Sequence, residues 1–127
     1  TVAIQAAALG KSYMIPYTGK YSWLYAGEAA LAFITSVSND MVGSNVFNLN
    51  GSCETIENGL KLIKELKPNS SVTCEGQPLP FPPDLDDLPL RKYVGDYTSV
   101  SVQKGIEHTL RAFETLKSEG KCPDVPI

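Results

Sequence analysis

Four segments of the chain carry apolar residues at helical spacing. Residues 2–9 are rich in alanine, and the glycine that follows them suits the position just beyond a helix, where φ is positive. Residues 28–37, 56–66 and 102–118 each repeat apolar side chains three and four positions apart, which places them on one face of a helix. The pattern therefore predicts four helices in these segments.

Capping residues mark the bounds of the last two helices. Thr55 and Ser101 stand directly before them, and a hydroxyl at that position accepts a hydrogen bond from a backbone N–H two or three residues later. Pro68 follows the third predicted helix and Gly120 follows the fourth, and both residue types end helices. We expect the two helices to begin at these caps and to end before these residues.

Four short segments have the composition of β-strands, namely residues 12–17, 21–25, 45–50 and 70–75. The first two are separated only by the turn-forming residues 18–20, so we expect them to pair as a hairpin. The alternation of strands and helices along the chain predicts an α/β domain, in which a small sheet of about four short strands packs with about four helices.

The segment 77–90 contains five prolines, which disfavour regular structure. We predict a proline-rich loop that lies extended across a surface or a site, with a turn of helix around Asp86. The chain has 127 residues, a length typical of one domain, and we predict that residues 1–127 form a single domain.

The charge and the cysteine pattern narrow the classes of partner and compartment. A net charge of −3 argues against a nucleic-acid or anionic-membrane partner, because either requires a basic surface. Neither a secretory signal nor an apolar run long enough to span a membrane is visible. Three cysteines without paired spacing indicate free thiols rather than a disulfide framework or a zinc site, so we expect a cytoplasmic protein.

The motifs that nicotinamide chemistry requires are missing from the sequence. None of the ten glycines belongs to the glycine-rich turn that binds a dinucleotide, and no tyrosine has a lysine four positions later. The only histidine, His108, is expected to face solvent on the last helix. Asp84, Asp86 and Asp87 form the only carboxylate cluster, which we expect to begin a helical turn rather than to bind a cation. No catalytic, cofactor-binding or metal-binding residue is therefore predicted in this chain.

An unusual group of aromatic residues lies near the start of the chain and consists of Tyr13, Tyr17, Tyr21, Trp23 and Tyr25. Strand alternation sends the last three to one face. One interpretation is that they pack beneath a helix. The other is that they form a stacking wall for a ligand, or a surface that another domain covers.

Several segments together resemble the extended short-chain dehydrogenases, the NAD-dependent epimerase/dehydratase family. Residues 20–34 (KYSWLYAGEAALAFI) resemble the family's strand and helix, in which an aromatic residue and V-x-D-V-A precede A-F. Residues 46–56 and 93–113 resemble its y-N-l-g and closing L-G-w-x-P segments with the helix that follows. The sequence LPFPPDLD at 79–86 is similar to a subgroup with l-P-f-P-x-x-l-D. The resemblance covers nearly the whole chain, in order.

The resemblance implies a two-part enzyme of which this chain is the C-terminal, substrate-binding part, with the Rossmann half absent. In that family the N-terminal part carries NAD(P) and the Tyr/Lys pair, and the C-terminal part closes over a substrate that is commonly a nucleotide sugar. The chain also opens as a helix already under way, which agrees with a segment upstream. We therefore expect a missing N-terminal nucleotide-binding domain as partner, a small-molecule substrate, and no activity of the isolated chain.

Two departures from the family pattern bear on the substrate. Glu28 stands where the family usually has aspartate, and the strand before it lacks the arginine that often reaches the diphosphate of nucleotide sugars. Lys20 is the nearest cation, and Arg91 is a second one in reach of the proline-rich loop. Another sugar derivative or a hydroxy acid therefore stays open as substrate. The predicted substrate-binding residues are Tyr17, Lys20, Tyr21, Trp23 and Arg91.

Two functions are consistent with these observations. The first is the substrate-binding fragment of an NAD(P)-dependent sugar epimerase/dehydratase, with a nucleotide sugar as the leading substrate. The second is a free-standing small-molecule-binding or interaction module of the same fold, without enzymatic activity. Both predict an exposed apolar surface at the aromatic residues or the proline-rich loop, and a homo-oligomer such as a dimer.

Overall fold

The computed structural model describes residues 1–40 and 42–125, and positions 41, 126 and 127 lie outside the described residues. The predicted α/β class is confirmed, with four short strands and five helices in this described part. In chain order the elements are α1 (Val2–Leu9), β1 (Tyr13–Ile15), β2 (Lys20–Trp23), α2 (Ala26–Val37), β3 (Ser52–Thr55), α3 (Ile56–Leu66), β4 (Val72–Cys74), α4 (Leu88–Val94) and α5 (Val102–Ser118).

The four strands form two separate pairs rather than the one small sheet that the sequence suggested. β1 runs parallel to β4, with Ile15 opposite Cys74, and β2 runs antiparallel to β3. The predicted hairpin of β1 and β2 is therefore wrong. The backbone N–H of Ile56 donates a hydrogen bond to the carbonyl of Gly19 at 2.9 Å, so the turn before β2 is tied to the end of β3 and turns away from β1.

The third strand lies at Ser52–Thr55, and residues 45–50 form no strand. Val46 is 95% exposed, whereas Phe47 and Leu49 pack against the smaller core from an irregular segment. At Gly51 the backbone passes directly against β2, and a Cβ atom there would lie 2.0 Å from the carbonyl oxygen of Trp23. Only a glycine allows this close backbone approach, and the strand begins immediately after it.

Part of the predicted proline-rich loop is helical. α4 begins at Leu88, so the irregular segment ends near residue 87. Pro89 falls in the first turn of α4, where its missing N–H costs no helical hydrogen bond. Oδ1 of Asp86 accepts a hydrogen bond from the backbone N–H of Leu88 at 3.0 Å, so the helical turn expected around Asp86 is the start of this longer helix.

Local capping signals predicted the other helices more closely. Oγ1 of Thr55 accepts from the backbone N–H of Asn58 at 3.1 Å, and Oγ of Ser101 accepts from that of Lys104 at 3.3 Å. α2 begins at Ala26, slightly before the predicted start. In the described part of the chain no helix has the length and apolar character that crossing a membrane requires.

The main apolar core lies between α1, α3 and α5, beside the β1–β4 pair. Ala6 of α1 is fully buried, and its small side chain allows α5 to approach closely. Ile63 of α3 and Ile106 of α5 are buried in the same core. A second, smaller cluster joins α2 to α4 and contains the buried residues Ala32, Leu90 and Tyr97.

Candidate substrate-binding site

A cavity of about 500 Å³ lies between the start of α1, strand β2, the start of α2 and the start of α5. Small side chains, including Ala26 and Gly105, form part of its wall. The aromatic side chains that line it are those of Tyr13, Tyr17, Tyr21, Trp23 and Tyr25. The fold therefore brings the whole aromatic group of the sequence to one cavity.

Trp23 is both a structural residue and a wall of the cavity. Its indole Nε1–H donates a hydrogen bond to the backbone carbonyl of Glu54 at 3.1 Å, across the β2–β3 pair. The far edge of the ring lies against α3 at Gly59, where a Cβ atom would come within 2.4 Å of it. Trp23 therefore packs beneath a helix, as one interpretation of the aromatic group expected, and it also lines the cavity.

Tyr17 and Tyr21 form the ring pair of the cavity. Their centroids are 5.9 Å apart and their planes are inclined by 36°. Burial raises the pKa of the Tyr17 phenol, and the neighbouring Tyr21 and Tyr13 add to the effect, so the group stays a neutral hydrogen-bond donor at neutral pH. Tyr21 is 39% exposed, which places this pair where a ligand can reach it.

Tyr25 reaches the cavity from outside the strand. It occupies the position before the first turn of α2, so strand alternation does not explain its orientation. Its ring meets the edge of His108 on α5, with centroids 5.5 Å apart. His108, the only histidine of the sequence, is therefore exposed and packs against Tyr25 of the cavity lining.

The side chains that line the cavity are apolar or neutral polar. Among the described residues that line it, none has a charged side chain. Oγ of Ser101 caps α5, and the hydroxyl of Thr109 donates to the carbonyl of Gly105 at 2.7 Å. Aromatic rings and phenol hydroxyls of the tyrosines therefore form the groups of the lining that are suited to stacking and hydrogen bonding.

Lys20 and Arg91 are not among the residues that line the cavity. Lys20 is exposed at the first position of β2, next to Tyr21. Arg91 lies on α4 rather than in the loop, where Nε donates to Oδ1 of Asp87 at 2.9 Å and Nη1 lies 2.5 Å from Oδ1 of Asp96. Of the five predicted substrate-binding residues, the structure brings together the three aromatic ones.

A buried polar network surrounds Asp87 and was not predicted from the sequence. The carboxylate makes two contacts with Arg91, both at 2.9 Å, and accepts from the hydroxyl of Tyr97 at 2.5 Å. Burial by itself would raise the pKa of Asp87, but the hydrogen bonds from Arg91 and Tyr97 outweigh it and hold the pKa below its usual value. Burial and the contact with Asp87 raise the pKa of Tyr97.

Asn50 connects this network to β2. Its backbone N–H donates to the hydroxyl of Tyr97 at 3.0 Å, and its Oδ1 accepts from Oγ of Ser22 at 2.6 Å. Its Nδ2 donates to Oδ1 of Asp84 at 2.9 Å. The three aspartates therefore do not act as one cluster, since Asp84 holds Asn50 and Asp87 holds Tyr97.

No family model matches the chain, and no curated protein matches it. Solved structures share its fold, among them the following two. A partial consensus L-threonine 3-dehydrogenase (E-change) is 18% identical with a TM-score of 0.72, over 89% of this chain and 40% of that chain. The UDP-glucuronic acid 4-epimerase from Bacillus cereus, in complex with NAD, is 12% identical with a TM-score of 0.67, over 90% of this chain and 38% of that chain.

The chain has the fold of a part of these enzymes. It spans about two fifths of the length of each. The likeness agrees with the fold that the resemblance to extended short-chain dehydrogenases implies, and more than half of each matched chain lies outside the shared part.

Glu28 is a buried acidic residue near the start of α2. It is 5% exposed, in the first turn of α2, where negative charge complements the helix dipole. Its Oε1 accepts hydrogen bonds from the backbone N–H groups of Ser99 at 2.5 Å and Val100 at 2.6 Å. Because Val100 lines the cavity, Glu28 positions one wall of the candidate site.

Proposed function

We propose that the chain is the substrate-binding part of an NAD(P)-dependent epimerase, dehydratase or dehydrogenase, and that a nucleotide-binding half supplies NAD(P) and the catalytic groups. The single observation that carries the proposal is the cavity that five aromatic side chains line. It is supported by the fold, which is shared with part of an L-threonine 3-dehydrogenase and of a UDP-glucuronic acid 4-epimerase in complex with NAD.

A nucleotide sugar is the substrate class that we favour. The rings of Tyr17 and Tyr21 offer faces on which a base can stack, and their neutral hydroxyls suit the hydroxyl groups of a sugar. The ammonium group of Lys20, exposed beside Tyr21, is the cation that we assign to a diphosphate.

Fluorescence titration tests the proposal, because Trp23 is the only tryptophan and lies in the cavity wall. We expect UDP-glucuronic acid or UDP to change the emission of Trp23 in a saturable way. Tyr21→Ala removes one of the two stacking rings and should weaken binding about tenfold, the equivalent of about 1.4 kcal/mol. Tyr93→Ala changes an exposed tyrosine outside the cavity lining and serves as the matched control.

The same titration with NAD and NADP separates the two parts of the proposed enzyme. The isolated chain should give no saturable response to either dinucleotide and no turnover. Saturable NAD binding by this chain would contradict our proposal that the nucleotide-binding half, and not this chain, binds NAD(P). Failure of UDP, UDP-glucuronic acid and simple sugars alike to bind would overturn the substrate-binding role.

A free-standing binding module is the second candidate. It is favoured by the main core between α1, α3 and α5, which is closed by the chain's own residues. The two candidates make different predictions about the sequence that the reading frame encodes before Thr1. A glycine-rich dinucleotide turn and a Tyr-x-x-x-Lys motif in that frame would support the enzyme part and exclude the free-standing module. The homo-oligomer and the cytoplasmic location stay predictions.

A further inference from the structure

α2 carries an exposed apolar strip that nothing in the described part of the chain covers. The strip consists of Ala26, Ala30, Phe33, Ile34 and Val37, which follow one another at helical spacing. Phe33, Ile34 and Val37 are 68%, 65% and 88% exposed. These are the apolar residues that predicted the helix, and the fold leaves them in contact with solvent.

The composition of α2 is that of a helix buried on two sides. A surface helix normally presents charged residues on its outer face. The only charged residue of α2 is Glu28, and it is buried against the segment that precedes α5. Ala32 faces the smaller core with α4, so the strip is a second apolar face on the same helix. Such a face on a folded chain marks an interaction surface.

The strip is continuous with the candidate site. Ala26 both lines the cavity and begins the strip, and Ala30 lies one helical turn further along. The twelve residues of α2 extend the strip for about 18 Å from the cavity. A protein domain that covers this side of the cavity therefore also contacts the strip.

The surface area of the chain indicates a large partner. The accessible surface is 8094 Å². A compact monomer of this mass exposes about 6,600 Å², so the chain exposes roughly 1,500 Å² more than its size requires. A pair of α2 helices from two copies would cover a surface only about 18 Å by 10 Å on each. A partner of domain size accounts better for the excess than a second copy that pairs through this helix.

We infer that the α2 strip is the surface on which the nucleotide-binding half docks, so that the same contact closes the cavity over the substrate. The inference rests on the proposed function. More than half of each matched enzyme lies outside the part that this chain shares. That remaining part is large enough to be the domain-sized partner. An open sheet of the dinucleotide-binding type needs apolar helices against both faces, and α2 offers such a helix.

Thiol labelling tests the inference in the polypeptide that joins this chain to its nucleotide-binding half, compared with this chain alone. Phe33→Cys places a thiol in the strip, and Leu88→Cys places one at a similarly exposed position of α4. Mass spectrometry of the labelled peptides separates these thiols from the native cysteines. We expect labelling at position 33 to slow by about tenfold or more in the longer polypeptide, and labelling at position 88 to be unchanged.

Two results overturn the inference while the proposed function stands. In the first, the longer polypeptide binds NAD but Phe33→Cys is labelled as fast as in the isolated chain. In the second, protection of position 33 disappears on dilution, which identifies a second copy as the occupant. A longer polypeptide that binds no dinucleotide contradicts the proposed function instead. Concentration-independent protection in an NAD-binding polypeptide supports both.

Discussion

The hydroxyl of Tyr97 donates a hydrogen bond to the carboxylate of Asp87 at 2.5 Å, at a site where Tyr97 is only 2% exposed. The same hydroxyl accepts from the backbone N–H of Asn50, so one buried oxygen joins α4, the segment before α5 and the chain that leads into β3. Charge-assisted hydrogen bonds of this kind are about twice as strong as neutral ones.

Removing this hydroxyl should destabilise the fold. Tyr97→Phe leaves the buried backbone N–H of Asn50 without a partner and removes one of the two partners of Oδ2 of Asp87, so we expect the free energy of unfolding to fall by about 1–3 kcal/mol. Urea denaturation followed by circular dichroism measures it. Tyr93→Phe, at a half-exposed tyrosine, is the matched control and should change the midpoint little. Equal midpoints for the two variants would show that the Tyr97 hydroxyl contributes nothing.

The lowered pKa of Asp87 predicts how stability depends on pH. The unfolded state takes up a proton near pH about 3.9, whereas the folded state resists protonation to lower pH. The contribution of Asp87 is therefore fully present above the unfolded pKa and is lost as the pH falls through the folded pKa. Asp87→Asn should lower stability at pH 7 and flatten its decline below pH about 4.

Unfolding midpoints in urea between pH 7 and pH 3 check this expectation. Asp40→Asn, at an exposed aspartate, provides the comparison for removal of one negative charge. If Asp87→Asn and the native chain lose stability in parallel as the pH falls, the carboxylate of Asp87 is not the source of the acid sensitivity.

Gly59→Ala should destabilise the chain although alanine is the better helix former. The new Cβ would lie 2.4 Å from the indole ring of Trp23, which its hydrogen bond to Glu54 holds in place. We expect a loss of about 1–3 kcal/mol from overpacking, which outweighs a gain of about 1 kcal/mol in helix propensity. The emission of Trp23 should shift as the ring moves.

Gly105→Ala is the matched control on α5. Its Cβ would meet the nearest side-chain atom, of Tyr25, at 3.6 Å, an ordinary contact distance. Stability should therefore be equal or higher in this variant. A Gly59→Ala variant that is as stable as the native chain, with unchanged Trp23 emission, would show that the indole ring does not exclude a side chain at position 59.

Glu28 is expected to act on the wall of the cavity rather than on a ligand. Glu28→Ala leaves the backbone N–H groups of Ser99 and Val100 without their acceptor, and because Ser99 is exposed and Val100 only half-buried we expect a total cost of about 1–3 kcal/mol. Amide hydrogen exchange should accelerate at these two positions. Glu28→Gln keeps an acceptor oxygen and should restore part of the protection, whereas exchange as slow as in the native chain would contradict the role.

Local signals in the sequence predicted the helices well, because a cap and a periodic stripe act within one turn. Thr55 and Ser101 cap the helices that they were expected to cap. Strand pairing depends on distant contacts, such as Ile56 with Gly19, which no short-range pattern encodes. The hairpin prediction was wrong for that reason.

The candidate site was predictable only in part. The aromatic spacing from Tyr13 to Tyr25 indicated a wall, and the structure brings these residues to one cavity. The contact of Asn50 with Tyr97 joins residues 47 positions apart, and neither has a neighbour in sequence that signals the other. The three neighbouring aspartates, Asp84, Asp86 and Asp87, were the only sequence feature that pointed to this network, and each of them has a different partner.

Hydrogen bonds join the α2–α4 side to the rest of the described chain, among them those from Ser99 and Val100 to Glu28 and that from Ser22 to Asn50. Single hydrogen bonds of this kind can open in local fluctuations, whereas the residues of an apolar core become exposed together. The α2–α4 side, with few buried apolar residues, should therefore be the first region to open in native-state exchange. The surface inferred to receive a partner then belongs to the region that gains most order from binding it.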